Sequence, residues 1–152
     1  MKENSYFNFN EIGELVIERT FFESYYPILF TCRSDKQVLY LCVCCLAEEG
    51  LKKWLIADVN PGIIVKMLNN KITLRDTFLS NNGHRFTIIF KNSINSIIPD
   101  VTSDWHPTDS IYLPKPHEYM KADENEFVEE IKFYTELENN RWHYCAYTYG
   151  GW

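Results

Sequence analysis

Glycine is scarce in this chain. Six occur in 152 residues, two of them at 150–151. That leaves no Gly-rich loop to cradle a phosphate, and neither G-x-S-x-G nor H-E-x-x-H is present. Long apolar runs are missing too. Nothing approaches the roughly 20 residues that span a bilayer, and the start "MKENSYFNFNEIGEL" has no apolar h-region. A cytoplasmic protein with no membrane partner is therefore expected. Basic excess is absent: the net charge is −6. Direct nucleic-acid binding is not expected, because phosphates would be repelled. Five cysteines make an odd number without framework spacing, so free thiols are expected in a reducing compartment. No cofactor is implied.

What the chain has in abundance is aromatic residues, at 16%. That composition leans toward strands. The length suits a single domain, 1–152, with a core that needs no staples. Residues 12–92 read as a β-meander plus helix, 93–122 as a long Pro-containing loop, and 123–152 as an acidic, aromatic C-terminal extension.

Strands are expected over "ELVIERTFF" (14–22), "YYPILFTCR" (25–33), "VLYLCVCCLA" (38–47), "LKKWLIADV" (51–59) and "HRFTIIFKN" (84–92). "SDKQ" (34–37) and "NNG" (81–83) supply turns. "NPGIIVKMLNN" changes period. Asn60 suits an N-cap, Pro61 the first helical position, and Ile63, Ile64, Met67 and Leu68 form one stripe. Thr73 followed by Asp76 resembles a capping box. The expected fold is α+β, mainly β. A bent antiparallel sheet of about five strands carries one or two short helices (61–69, 73–79). The C-terminal end is a hairpin or a helix–strand extension. Asp123 and Glu126 suit a capped helix, yet Phe127, Ile131, Phe133 and Leu137 share a strand face and Asn139–Asn140 suit a hairpin turn. The hairpin is favoured.

"LYLCVCCL" (39–46) crowds three cysteines together. On a strand, Tyr40, Cys42 and Cys44 share one face and Leu39, Leu41, Val43 and Cys45 the other. Both faces are apolar, as in a strand covered on both sides. Cysteine then serves as a small apolar residue, largely buried, unbridged and without metal. A zinc site would need partner ligands at fixed spacing, and none is present.

The charge is concentrated. Glu118, Asp123, Glu124, Glu126, Glu129, Glu130, Glu136 and Glu138 face only Lys121 and Lys132 between 118 and 138, and the remaining charges balance. Aromatic residues interleave with them. Interfaces use aromatic anchors, and acidic residues steer a basic partner. Glu126, Glu129, Glu130, Tyr134, Glu136, Glu138, Trp142 and Tyr144 are the candidate partner-binding residues. Arg75 and Asp76 are a candidate ligand or ion-pair site. A second class is an enzyme or small-ligand site, with or without metal, in the 104–118 loop, which holds Asp104, His106, Asp109, His117 and Glu118.

"YPILFTCRSDKQVLYLCVCC", "KWLIADV" and "LNNKITLRDTF" together resemble a family of small uncharacterised bacterial and phage-associated proteins, with the order P-x-L-F … Y-L … W-L … L-R-D-x-F over about residues 25–80. The resemblance implies a β-rich domain with a following helix. It carries over no catalytic residue. Residues and resemblance together favour a non-enzymatic interaction protein: a small acidic inhibitor, immunity or regulatory factor acting on a basic protein surface. Pairing with a second copy through an aromatic C-terminal strand is left open.

Overall fold

The computed structural model describes residues 5–9, 13–48, 51–80, 85–91, 100–104 and 113–148. For 5, 9, 46, 48, 51, 85–91, 100–104 and 141–148 it describes the backbone alone. The contacts group the chain into two compact units, 1–59 with 81–114 and 60–80 with 115–152. This is a finer division than the single domain of the sequence reading.

The first unit is a seven-stranded antiparallel meander, mainly β as expected. Its strands are β1 (Ser5–Phe9), β2 (Gly13–Ser24), β3 (Tyr26–Ser34), β4 (Leu39–Glu48), β5 (Leu51–Asp58), β6 (Arg85–Lys91) and β7 (Asp100–Asp104). Sequence order is spatial order, so each strand pairs with the next. The expected "SDKQ" turn closes β3 to β4. Ser34 and Val38 exchange backbone and hydroxyl bonds, and Gln37 takes φ 67°.

The sheet curls tightly. A flat sheet would put β1 and β5 about 19 Å apart, four steps of about 4.8 Å. Instead Phe7 of β1 meets Trp54 of β5 with ring centroids 5.9 Å apart, and Phe30 of β3 at 6.1 Å. The concave face is one aromatic and thiol core of Phe7, Leu15, Phe30, Cys32, Tyr40, Cys42, Trp54 and Ile56. Curvature comes from β2, whose register against β3 shifts three times. An extra residue on one strand bends it and increases its twist. At one shift, beside Glu18, Thr31 repairs the ladder: its buried hydroxyl accepts from the Arg19 N–H (3.1 Å) and donates to the Arg19 carbonyl (3.4 Å). Glu18 turns outward and accepts two bonds from Arg33, at 2.9 and 2.8 Å.

β4 is buried on both faces over Leu39–Cys42. The expectation for the cysteines holds in part. Cys32, Cys42, Cys44 and Cys45 are unbridged, and Cys32 and Cys42 are buried. Cys44 and Cys45 are only half-buried, because the β4–β5 register shifts between Cys44 and Leu46 and makes Cys45 the inserted residue. Its thiol donates to the Lys53 carbonyl at 3.4 Å. Burial and then Cys44 push this thiol up to about 11, against opposing pulls from its own backbone bond and Lys53. The protonated form is therefore the one the fold favours. Its contribution to stability is complete below the ordinary thiol value of 9.0 and disappears as pH rises toward about 11. At pH 8, iodoacetamide should label Cys45 about 100-fold more slowly in the folded chain than in the unfolded one, following its smaller thiolate fraction. Peptide mapping by mass spectrometry reads this directly, and near-equal rates would contradict it.

The second unit contains α1 (Pro61–Leu68), α2 (Leu74–Leu79) and α3 (Val128–Thr148). The two short helices lie where the sequence places them. The C-terminal segment corrects the favoured hairpin: Asn139 and Asn140 are exposed helical residues, not a turn. The burial along α3 explains why. Phe127, Ile131, Tyr134, Leu137 and Glu138 are shielded while Val128, Glu129, Lys132, Thr135 and Glu136 are exposed. That is a helical stripe of period 3.6, not an alternation. Among the described residues no helix is long and apolar enough to cross a membrane.

Candidate interaction cleft on the helical unit

α1 ends in a Schellman motif. The Asn70 N–H donates to the Met67 carbonyl (3.1 Å) and the Lys71 N–H to the Lys66 carbonyl (2.9 Å). Asn70 takes the left-handed conformation this motif needs, φ 60°. Its side chain then does a second job. The amide Nδ2 donates to the Ala122 carbonyl at 3.0 Å, and Oδ1 accepts from the Ala122 N–H at 2.9 Å. One asparagine thus caps α1 and clamps the segment that leads into α3. The same segment is held at α2, where the Leu74 N–H donates to the Glu118 carbonyl (2.8 Å). Thr73 caps α2 through its hydroxyl, which accepts from the Asp76 N–H at 3.1 Å.

A turn over 123–126 leads into α3, with Asn125 in the left-handed conformation at φ 67°. The Glu126 carboxylate closes this turn by accepting from the Asp123 N–H at 2.9 Å. Between this turn and the end of α1 lies an open cleft of about 410 Å³. Leu68, Phe127, Val128 and Ile131 give it an apolar lining, and Asp123, Glu124 and Glu126 give it an acidic one, with Lys132 at one side. The C-terminal carbonyl end of α1 adds partial negative charge to the same place. A cation on an apolar stem fits both linings.

The candidate partner-binding residues divide into two groups. Glu126, Glu129 and Glu136 are exposed, as are Glu118, Asp123 and Glu124 beside them. Glu129 and Glu136 lie two helical turns apart on the open stripe of α3. Glu130 and Glu138 are half-buried. Glu138 is occupied within the fold: its Oε2 accepts from the Gly62 N–H at 2.9 Å, in the first turn of α1. Asn60 sits at the N-cap of α1 without a side-chain capping bond, so Glu138 supplies the missing acceptor. Gly62 leaves room for it, since a Cβ there would lie 3.3 Å from the Glu138 carboxyl carbon. Replacing Glu138 with alanine should cost the helical unit about 1–2 kcal/mol, the worth of a charged cap. Urea unfolding followed by circular dichroism checks this, and Glu138→Gln, which keeps an acceptor, should lose less than half as much.

Tyr134 is a correction. It is fully buried, with its ring 5.0 Å from that of Phe133, so it belongs to the core and presents no surface. Trp142 and Tyr144 lie on the described backbone of α3, and their side chains are outside the described residues. Arg75 is half-buried and Asp76 exposed on α2, where the Asp76 amide serves the cap. Of the 104–118 loop, 105–112 lie outside the described residues, including His106 and Asp109. His117 is exposed at φ 65°, and Glu118 contributes its carbonyl to α2. Among the described residues no group of three or more His, Cys, Asp and Glu side chains is placed to hold a metal ion.

Sequence reasoning missed the apolar lining, because Leu68 and Phe127 read as stripe residues of separate elements. The Asn69–Asn70 cap and the Asp123–Glu126 pair were the legible signals for its two sides. In comparison with known proteins, no family model, no curated protein and no solved structure matches the chain.

Proposed function

We propose that the helical unit is a protein-docking module whose acidic cleft and α3 face bind a basic, amphipathic segment of a partner. The observation that carries this reading is the cleft itself: carboxylates from Asp123, Glu124 and Glu126 stand beside an apolar lining of Leu68, Phe127 and Ile131. A lysine or arginine side chain would lay its stem on the apolar residues and its charge among the acids. Glu129 and Glu136 extend the negative field along α3 and would accelerate encounter with a basic partner. Nothing in this arrangement requires a cofactor. The same proposal includes a bacterial or phage setting and a cytoplasmic inhibitor, immunity or regulatory role, for which the concentrated acidic charge at 118–138 is the support.

The triple variant Glu124→Gln, Glu129→Gln, Glu136→Gln tests it while sparing Glu126, which closes the turn before α3, and Glu138, which caps α1. The probe is a synthetic amphipathic peptide of lysine and leucine at helical spacing. Calorimetry at low salt should show affinity reduced about tenfold or more, the sum of several rim charges. The difference should shrink at 0.5 M salt, where charges are screened within about 4 Å. Equal affinity of variant and native chains at low salt would overturn the proposal.

A further inference from the structure

Two partly buried tyrosines, Tyr6 and Tyr26, pack against the core of the curled sheet at Trp54. Trp54 itself is 3% exposed. Tyr6 stands over it at 73° with centroids 6.2 Å apart, and Tyr26 at 67° and 6.3 Å. Rings inclined to an indole at these angles and distances can turn their negative faces toward a common cation. A cation already lies against two of the three rings, Tyr26 and Trp54. Lys52 precedes Trp54 by two residues on β5, so it shares the concave face, and its Nζ sits 3.8 Å from the Tyr26 centroid and 5.9 Å from that of Trp54. Both distances are within the range of a cation–π contact. Burial raises the Tyr6 and Tyr26 hydroxyls above their ordinary value, with the Cys44 thiol adding to it, so both rings stay neutral phenols.

The geometry points to a binding site for a small alkylammonium ion of the choline or trimethyl-lysine class, formed by Tyr6, Tyr26 and Trp54 and occupied in the resting protein by the chain's own Lys52. A primary ammonium is a poor match for such a group of rings. It is strongly hydrated and must shed water to enter. A quaternary ammonium spreads its charge over methyl groups, loses little hydration, and makes van der Waals contact with the rings. Lys52 is tethered two residues from Trp54, so it holds the site by proximity more than by fit. Its flexible stem lets it swing out to solvent when a better cation arrives. This site is on the sheet and is independent of the acidic cleft.

Titration of the full chain by NMR tests the assignment, with choline, Nε-trimethyl-lysine and 3,3-dimethylbutan-1-ol as probes. The last is the neutral carbon analogue of choline. Lys52→Gln and Lys52→Met should each bind choline at least about tenfold more tightly than the native chain, because the internal competitor is gone. The neutral alcohol should bind at least about tenfold more weakly than choline, since it lacks the charge the rings attract. Adding Tyr26→Leu to Lys52→Gln should abolish choline binding while the amide spectrum remains that of a folded sheet. Choline and trimethyl-lysine differ in the group beyond the ammonium, so their relative affinities decide between a free small molecule and a modified side chain as the source. Equal choline affinity with and without Lys52, or equal binding of choline and the alcohol, would overturn the proposal.

Discussion

Trp54→Ala should destabilise the sheet unit by about 3–5 kcal/mol, the range for removing a large buried aromatic. Such a loss is comparable to the whole stability of many domains. Trp54 is where the curl closes. It meets Phe7 from the first strand, Tyr6 beside it and Tyr26 from the third. Deleting it removes the indole and also strips β1 of its ring contacts with β5. The edge strand would then keep only its ladder with β2 and the contacts of Tyr6 and Phe7 with Phe30 of β3. Urea unfolding followed by far-UV circular dichroism gives the midpoint shift, and amide exchange on Phe7 and Asn8 reports β1 separately. Trp54→Phe keeps ring contacts and should lose well under half as much. A loss below about 1 kcal/mol for Trp54→Ala, within the range of ordinary surface substitutions, would mean that the sheet does not close on this residue.

Tyr134→Ala should be as severe for the helical unit, again about 3–5 kcal/mol. The sequence offers Tyr134 as an aromatic anchor for a partner. The structure places it at 0% exposure on the shielded stripe of α3. The two roles make opposite predictions. An anchor, once truncated, weakens binding and leaves stability near native. A core residue, once truncated, unfolds its unit, and binding falls only with the folded fraction. Thr135→Ala is the control one position away. It is exposed, and its replacement should move stability by less than about 0.5 kcal/mol. A stable Tyr134→Ala protein would return this residue to the interface.

How far the sequence was legible follows from these two positions. The central strands were readable because their neighbours in sequence are their neighbours in the sheet. Two apolar faces on "LYLCVCCL" identified a strand covered on both sides, and β4 is buried that way over Leu39–Cys42. The bulge at Cys45 was not readable. It depends on how Lys53 and Trp54 pair across the ladder, and an inserted residue leaves no mark in the periodicity of its own strand. β1 was missed because its five residues carry polar serine and asparagine, and only the curl gives Phe7 something to pack against. The curl is a long-range event, set by register shifts in β2.

α3 shows a different limit. Phe127, Ile131, Phe133 and Leu137 satisfy a strand pattern, while Phe127, Ile131, Tyr134 and Leu137 satisfy a helical one. Aromatic and branched residues at nearly every shielded position make the two periods overlap. The local chemistry at the start was only a partial guide: Asp123 and Glu126 do bond to each other, but they close the turn before α3, which begins at Val128. Asn139 and Asn140 misled because asparagine favours turns, yet an exposed pair inside a long helix costs only a few tenths of a kcal/mol each relative to good helix formers. In the site, the acidic character was legible by counting charges. The division of labour among the glutamates was not. Glu138 is committed to α1 by a bond to a residue 76 positions away, and no local pattern announces that.

Chemical-shift mapping on the native chain is the most direct measurement of the central claim, that the acidic cleft of the helical unit receives a basic segment. The amides of Leu68–Asn70 and Ala122–Lys132 would be followed as the lysine–leucine peptide is added at low salt and then at 0.5 M salt. The account predicts saturable shifts concentrated in these two stretches and along the Glu129–Glu136 stripe, strongly reduced by salt, with the sheet amides unmoved. Shifts centred on the sheet, or no saturable shift at low salt in the cleft, would contradict it.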